Sequence, residues 1–246
     1  MALAPNKFQK NPYLFNPLIV ALDVDTEIQA LKLAEELTDV AGGFKLGPRL
    51  LLRYGPSLIS QVAQFAPVFV DHKFFDIPST MEASIRSVFA AGASLATIHA
   101  MAGKTALQRM AQVEAELNQI RPFKILAVTV LTSWKSFESE SDIFPKAEIK
   151  SGVSILGQET KSSGLTGLVC SGEELDLFED QGLFLVVPGI RRKKDALQDQ
   201  NRFMTPGEAM RSGASAIVVG RPVIAAADPR AEALDFSMAM LGSKYF

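Results

Sequence analysis

Residues 67–92 read PVFVDHKFFDIPSTMEASIRSVFAAG, a pattern that predicts one strand followed by one helix. Its first part, PVFVDHK (67–73), begins as a continuous apolar run, which is typical of a parallel strand covered on both faces. Its second part, MEASIRSVFAAG (81–92), has an amphipathic helical pattern and ends in a glycine, which commonly terminates helices. This stretch therefore predicts one β–α unit.

The same alternation recurs along the whole chain. The strand candidates are PLIVALDV (17–24), GGFKLG (42–47), PVFVDHK (67–73), SLATIHA (94–100), KILAVTVLT (124–132), GLTGLVCS (164–171), LFLVVPG (183–189) and SAIVVGR (215–221). Helical patterns lie between them, notably at 26–40, 103–117 and 172–182, and Thr205 to Glu208 forms a helix-opening capping pattern.

Eight strand–helix units in about 250 residues is the count of a (β/α)8 TIM barrel, so the predicted class is α/β. The main alternative is an open doubly wound sheet, which has a glycine-rich first turn. Here the first turn reads ALDVDTE. The sequence thus predicts a single barrel domain over residues 17–246, preceded by an N-terminal extension over residues 1–16.

Composition excludes several classes of protein. The chain has 246 residues, 48% of them hydrophobic, and a net charge of −2. No long basic block is present to neutralise phosphates, so we expect no nucleic-acid partner. No apolar run approaches the roughly 18 residues that span a bilayer, so we expect no membrane partner. Cys170 is the only cysteine, which rules out an intramolecular disulfide. The N-terminal residues lack a signal-peptide pattern, and we therefore expect a cytoplasmic protein.

Polar residues recur where the predicted strands end. In a TIM barrel, active sites are built at the carboxyl ends of the strands. Those ends carry Asp23, Lys45, Asp71, Lys73, His99, Thr132, Cys170, Arg191, Gly220 and Arg221. The strand interiors are almost wholly apolar, so this distribution indicates a functional site.

Asp71, Lys73 and Asp76 are the chemically informative group. Side chains alternate along a strand, so Asp71 and Lys73 are expected on one face and His72 on the other. A lysine between carboxylates is expected to stay protonated and to be available as a general acid. A structural ion pair on the barrel rim is an equally acceptable interpretation of these residues taken alone.

Glycine and arginine residues after strands 7 and 8 indicate a phosphate site. TIM barrels often hold phosphate between these two loops. Gly189 and Gly220 permit close backbone approach, and Arg191 and Arg221 can make charge-assisted contacts. Gln200 lies in the long loop between these strands and could reach a phosphate oxygen. The basic run that follows, residues 192–194, is expected to be a solvated surface.

The remaining candidates carry weaker signals. His72 and His99 have no metal-ligand spacing with a partner, and we expect His72 to be structural. For His99, lining the site and a structural role are both open. Cys170 has no base beside it in the sequence, so a small buried apolar residue is the favoured interpretation.

The same motifs resemble the orotidine 5′-phosphate decarboxylase family. DHKFFDIPST (71–80) is similar to the family signature DxKxxDIPxT. The resemblance continues, in the family's order, through ALD (21–23), FKLG (44–47), VTVLTS (128–133), VVPGIR (186–191), DQ (199–200) and VVGR (218–221). Two positions within the signature, Phe75 and Ser79, depart from residues that many relatives carry.

The resemblance implies decarboxylation of orotidine 5′-phosphate to UMP, the last step of UMP synthesis, without a metal or organic cofactor. It implies that Lys73 donates the proton, in an array with Asp71 and with Asp76 of a neighbouring subunit. It also implies that Asp23, Lys45 and the neighbour's Thr80 contact the ribose hydroxyls or support the array, and that Thr132 contacts the pyrimidine. The implied contacts with the 5′-phosphate are Arg191, Gln200, Gly220 and Arg221. The shared site implies a homodimer.

Two other functions remain open from the sequence. One is a metal-dependent sugar-phosphate decarboxylase or synthase of the same suprafamily, which shares DxKxxD but has different flanking residues. The other is a non-catalytic barrel that binds a phosphorylated metabolite. Such a protein would need only the phosphate half of the site.

Overall fold

The structure is a computed structural model that describes residues 11–134, 148–192 and 204–241. Within these residues, eight parallel strands pair in chain order into one closed barrel. The strands are β1 (Leu18–Ala21), β2 (Gly43–Leu46), β3 (Val68–Phe74), β4 (Ala93–His99), β5 (Lys124–Val128), β6 (Gly167–Val169), β7 (Phe184–Pro188) and β8 (Ala216–Val219). Each falls inside or within one residue of a predicted strand, and the predicted (β/α)8 TIM barrel is confirmed.

Helices connect the strands around the outside of the barrel. The described α-helices are α1 (Glu27–Glu36), α2 (Pro48–Tyr54), α3 (Pro56–Val62), α4 (Pro78–Ala90), α5 (Lys104–Asn118), α6 (Ile149–Ser162), α7 (Pro206–Arg211), α8 (Arg221–Ile224) and α9 (Pro229–Leu241). The predicted capping pattern at the start of α7 is confirmed, because the Thr205 side chain accepts a hydrogen bond from the Glu208 N–H. Among the described residues, no helix is long and apolar enough to cross a membrane.

The helix predicted over 172–182 is a shorter 3-10 helix, Gly172–Phe178. A capping box between Ser171 and Glu174 opens it. Leu175 and Phe178, three positions apart, are both buried. This spacing matches the three residues per turn of a 3-10 helix, and such helices are usually short.

The apolar core has two layers because side chains alternate along each strand. On β1, Leu18 and Val20 pack outward against the helices, whereas Ile19 and Ala21 point into the barrel. The inner cluster takes residues from most of the strands: Ile19, Ala21, Phe69, Leu95, Leu126, Val186, Ala216 and Val218. The barrel interior is thus packed, as is usual for this fold.

The residues just before β1 also join this inner layer. Leu14 belongs to the inner cluster, and Tyr13 packs edge-on against Phe184 with ring centroids 5.6 Å apart. Asn16 lies so close to Gly42 that a Cβ on Gly42 would sit 1.8 Å from the Asn16 carbonyl oxygen. Tyr13, Leu14 and Asn16 therefore pack against the barrel, although they precede the predicted domain boundary, whereas Phe15 between them is exposed.

Candidate active site

A cavity of about 300 Å³ lies at the carboxyl ends of the strands. Polar residues line part of it: Asp23, Lys45, Asp71, Lys73, Thr132, Arg191 and Arg221. Apolar residues and glycines line the rest, chiefly Ala21, Phe69, Val128, Val130, Val169, Cys170, Val186, Pro188, Gly189, Val218 and Gly220. The cavity is therefore polar on one part of its wall and apolar on another, which suits a ligand with both kinds of surface.

Four charged side chains form a row along one wall of the cavity. Lys45 Nζ lies 3.2 Å from Asp23 Oδ1 and 3.5 Å from Asp71 Oδ2. Lys73 Nζ lies 2.8 Å from Asp71 Oδ1. The charges alternate in sign and sum to zero. The row exists because β1, β2 and β3 are neighbours in the barrel, so the ends of these strands meet at one edge.

Asp71 is the centre of this row. Its side chain is only 16% exposed. Burial disfavours the charged carboxylate, but the ammonium groups of Lys45 and Lys73 and hydrogen bonds from Lys73 and Thr97 outweigh burial. The pKa of Asp71 is therefore held below its ordinary value. Asp71 is thus an anion at neutral pH, and it holds an ammonium on each side.

The backbone around Lys73 departs from a regular strand. Val70 pairs with Ala96 and Phe74 with Ile98, so residues 71–73 of β3 face a single residue of β4. This is a bulge, and it bends the strand locally. Lys73 has a φ of 51°, a left-handed conformation that is uncommon for residues other than glycine. The predicted shared orientation of Asp71 and Lys73 is thus achieved by a bulge rather than by simple strand alternation.

Thr97 is the β4 residue opposite this bulge, and it was missed by the sequence analysis. Its hydroxyl accepts a hydrogen bond from the Lys73 N–H at 2.8 Å and donates one to Asp71 Oδ1 at 3.1 Å. It is fully buried. The available signal was a hydroxyl residue in the interior of an otherwise apolar predicted strand, SLATIHA (94–100).

The ends of β7 and β8, next to the Asp23 end of the row, carry the glycine–arginine corners: Gly189 with Arg191, and Gly220 with Arg221. Gly189 has a φ of 78°, which glycine adopts without strain, and the next residue but one is Arg191. The Arg191 N–H donates to the Met204 carbonyl at 3.2 Å, which joins the two described ends of the loop between β7 and α7. Gly220 lies beside Asp23, since a Cβ on Gly220 would be 3.6 Å from Asp23 Oδ2. Gln200, the remaining predicted phosphate contact, lies outside the described residues.

Asp76 and Thr80 are not among the described residues that line this cavity. Asp76 Oδ1 accepts a hydrogen bond from the Ile77 N–H at 2.7 Å, just before α4 begins. Thr80 is exposed in the first turn of α4. Phe75 and Ile77, on either side of Asp76, are 63% and 64% exposed. Both predicted residues thus lie on an exposed segment with apolar side chains, outside the cavity of their own chain.

The histidines and the cysteine have structural surroundings. His72 stacks on Phe74, with ring centroids 5.3 Å apart. His99 Nδ1 accepts a hydrogen bond from the Met101 N–H, and burial and nearby Lys73 lower the pKa of this histidine. Cys170 is fully buried, as predicted, although it contributes to the cavity wall. Burial and nearby Glu174 raise its pKa to about 12, so its thiol is a poor nucleophile.

Arg192 is not part of a solvated basic surface, and that prediction is wrong at this position. Its side chain is only 11% exposed and pairs with Glu232 of α9. Its guanidinium carbon lies 4.1 Å from the centre of the Phe236 ring, on the same helix. The sequence could not indicate this pairing because the two partners lie about forty residues further along the chain.

Comparisons of the chain with known proteins all point to one enzyme family. The sequence model of the orotidine 5′-phosphate decarboxylase / HUMPS family matches residues 16–236. An orotidine 5′-phosphate decarboxylase of Carboxydothermus hydrogenoformans is 39% identical over 92% of this chain and 96% of its own length. An orotidine 5′-phosphate decarboxylase of Parasynechococcus marenigrum is 40% identical over 92% of this chain and 94% of its own length. The crystal structure of the orotidine 5′-phosphate decarboxylase of Lactobacillus acidophilus aligns with a TM-score of 0.77 and 31% identity, covering 92% of this chain and 99% of that one.

Proposed function

Because the chain belongs to the orotidine 5′-phosphate decarboxylase / HUMPS family, we propose that it converts orotidine 5′-phosphate to UMP and CO2. This reaction is the last step of UMP synthesis, which we place in the cytoplasm. The relatives described above support the proposal, since their names state this activity.

One observation carries the proposal. A single cavity has the Asp23–Lys45–Asp71–Lys73 row on one wall and the corners with Arg191 and Arg221 elsewhere on its lining. To decarboxylate a nucleotide that carries a carboxylate on its base, a site needs cationic groups that bind the phosphate and a proton donor near the base. Both requirements are met within about 300 Å³.

In the proposed reaction, the bond between C6 and the carboxylate breaks and its electron pair stays on C6. That pair occupies an sp² orbital and has no adjacent carbonyl over which to spread. The Lys73 ammonium stabilises the negative charge as it develops and then transfers a proton to C6, while CO2 leaves. Lys73 afterwards regains a proton from solvent.

Asp71 has two roles in this scheme. Its 2.8 Å contact holds the Lys73 ammonium in place, and its carboxylate lies on the cavity wall where the substrate carboxylate must enter. Two neighbouring anions repel each other, and this repulsion is relieved when CO2 departs. Lys45 and Asp23 extend the row, and we propose that they also contact the ribose hydroxyls. Thr132, on the cavity wall, is the proposed contact for the pyrimidine.

The phosphate contacts supply binding energy away from the reacting carbon. Arg191 and Arg221 can each make forked, charge-assisted hydrogen bonds, and the neighbouring glycines leave room for the phosphate. Gln200 is proposed as a third contact. Binding energy gained at a remote group can be used to orient the reacting part of a substrate.

We further propose a homodimer in which Asp76 and Thr80 complete the site of the neighbouring subunit. Two observations support this arrangement. Neither residue is among the described residues lining its own chain's cavity, and Phe75 and Ile77 beside them are large apolar side chains left mostly exposed. Exposed apolar residues grouped in this way are typical of a surface that another protein covers.

The test is to follow the loss of orotidine 5′-phosphate absorbance with purified protein, with and without EDTA. We expect equal turnover in both samples and UMP as the product. No turnover of orotidine 5′-phosphate in either sample, together with EDTA-sensitive turnover of a ketose phosphate or a keto-acid sugar phosphate, would favour the metal-dependent sugar-phosphate alternative. UMP binding without any turnover would favour the non-catalytic alternative.

A further inference from the structure

We propose that Thr97 is a positioning residue that holds Lys73 in the conformation needed for proton transfer. The inference rests on the proposed function, in which Lys73 is the proton donor. Thr97 lies behind the charged row and is not among the described residues that line the cavity. It therefore acts through Asp71 and Lys73 rather than on a ligand.

The bulge in β3 leaves backbone groups without strand partners. Three residues of β3, 71–73, face one residue of β4, so their backbone groups cannot all pair with the neighbouring strand. A buried N–H without a partner is destabilising. The Thr97 hydroxyl takes the place of the missing backbone acceptor, since it lies 2.8 Å from the Lys73 nitrogen.

The direction of the Thr97 hydroxyl hydrogen follows from this contact. A threonine hydroxyl has one hydrogen to donate. Since the oxygen accepts from the Lys73 N–H, that hydrogen is free to point at Asp71 Oδ1, which is 3.1 Å away. The same carboxylate oxygen accepts from Lys73 Nζ at 2.8 Å. One side chain thus fixes the backbone of Lys73 and the anion that holds its ammonium.

The backbone conformation of Lys73 is strained. Lys73 has a φ of 51°, and residues in such sparsely populated regions persist only where surrounding contacts enforce them. Thr97 belongs to β4, which pairs with β5 over Leu95–His99, so it is itself rigidly placed. The strained conformation of Lys73 is therefore maintained by a contact that a methyl group in place of the hydroxyl cannot make.

The experiment compares Thr97→Val, Thr97→Ser and Thr129→Val. Valine keeps the shape of threonine without the hydroxyl, and serine keeps the hydroxyl. Thr129 is the matched control, because it is also fully buried and its hydroxyl donates to the Val169 carbonyl at 3.0 Å, with no contact to the charged row. Folding of each variant is checked by circular dichroism and thermal melting.

For Thr97→Val we expect kcat to fall by roughly tenfold to a hundredfold, because small misplacements of a reacting group have effects of this size. We expect KM and the affinity for UMP to change by less than about threefold, because the phosphate contacts are untouched. Thr97→Ser and Thr129→Val should keep kcat within about threefold of the wild type. A merely structural role would lower the melting temperature without this separation of kcat from KM.

Three results would overturn the proposal: wild-type kcat in a folded Thr97→Val variant, an equal loss in Thr97→Ser, or a parallel loss in Thr129→Val. If Thr97→Val does not fold, Thr97→Ala provides a second variant without the hydroxyl. A crystal structure of the folded variant gives a readout that does not depend on activity. A Lys73 φ still near its wild-type value and an intact Asp71–Lys73 contact would contradict the inference, whatever reaction the enzyme catalyses.

Discussion

Replacing Lys73 with alanine tests the chemistry most directly. The contact between Lys73 Nζ and Asp71 Oδ1 is 2.8 Å long. At this distance and an effective dielectric constant of about 20, two unit charges interact with about 6 kcal/mol. An ammonium facing the developing negative charge on C6 at a similar distance would stabilise it by about the same amount. Since 1.36 kcal/mol corresponds to a factor of ten in rate, Lys73→Ala should lower kcat at least about 10⁴-fold.

The assay should separate turnover from binding. Orotidine 5′-phosphate consumption gives kcat, and calorimetric titration with UMP gives the affinity for the product. We expect UMP affinity to stay within about fivefold of the wild type, because Lys73 is not part of the glycine–arginine corners that are proposed to bind the phosphate. Lys150→Ala is the matched control, since Lys150 also pairs with an aspartate, Asp176 at 3.1 Å, but on the exposed surface. Turnover within tenfold of the wild type in Lys73→Ala would refute the assignment of Lys73 as proton donor.

Three further predictions concern other parts of the site. Arg221→Ala should raise KM by tenfold or more, because it removes a proposed phosphate contact. Arg211 is an exposed arginine outside the cavity, so Arg211→Ala should leave KM unchanged. Equal KM values in the two variants would disprove the phosphate contact. Cys170 should resist alkylation by iodoacetamide at pH 8 in the folded protein and react fully in denaturant, because its pKa is raised to about 12; rapid labelling of the folded enzyme would contradict its burial. The lowered pKa of Asp71 stabilises the fold above the unfolded pKa of about 3.9, and this contribution is lost as pH falls through the lower folded value. The difference in unfolding free energy between wild type and Asp71→Asn should therefore shrink on acidification below pH 4, and a constant difference would argue against the linkage.

The barrel fold was predictable because the same strand–helix pattern recurs along the sequence. Each strand is a short apolar run between helical patterns, and eight repeats of one unit leave few other architectures. The strand ends were predictable for the same reason, since parallel strands place their carboxyl ends at one edge. Asp23, Lys45, Asp71 and Lys73 could thus be assigned to one site although they span about fifty residues.

The features that escaped prediction depend on contacts between distant segments. The bulge in β3 is visible only as a mismatch in pairing with β4, and a single sequence gives no pairing register. The role of Thr97 follows from that mismatch and was missed with it. Arg192 was misassigned because its partner Glu232 lies on the last helix. In each case the deciding contact joins residues whose relation is set by tertiary packing rather than by a local pattern.

Closure of the barrel explains how the two halves of the proposed site work together. β8 pairs with β1, so Gly220 lies next to Asp23, at one end of the charged row. The row carries no net charge, whereas the glycine–arginine corners carry the two positive charges of Arg191 and Arg221. A substrate with a phosphate and a carboxylate is therefore attracted mainly by its phosphate, and its carboxylate meets a neutral array with Asp71 at the centre. In the proposed reaction, loss of CO2 removes the carboxylate that lies near Asp71, while the proposed phosphate contacts persist into the product. It follows that changes at Asp71 and Lys73 should chiefly alter kcat and changes at Arg191 and Arg221 should chiefly alter KM. Variants that reversed this division would show that the two halves do not act as described.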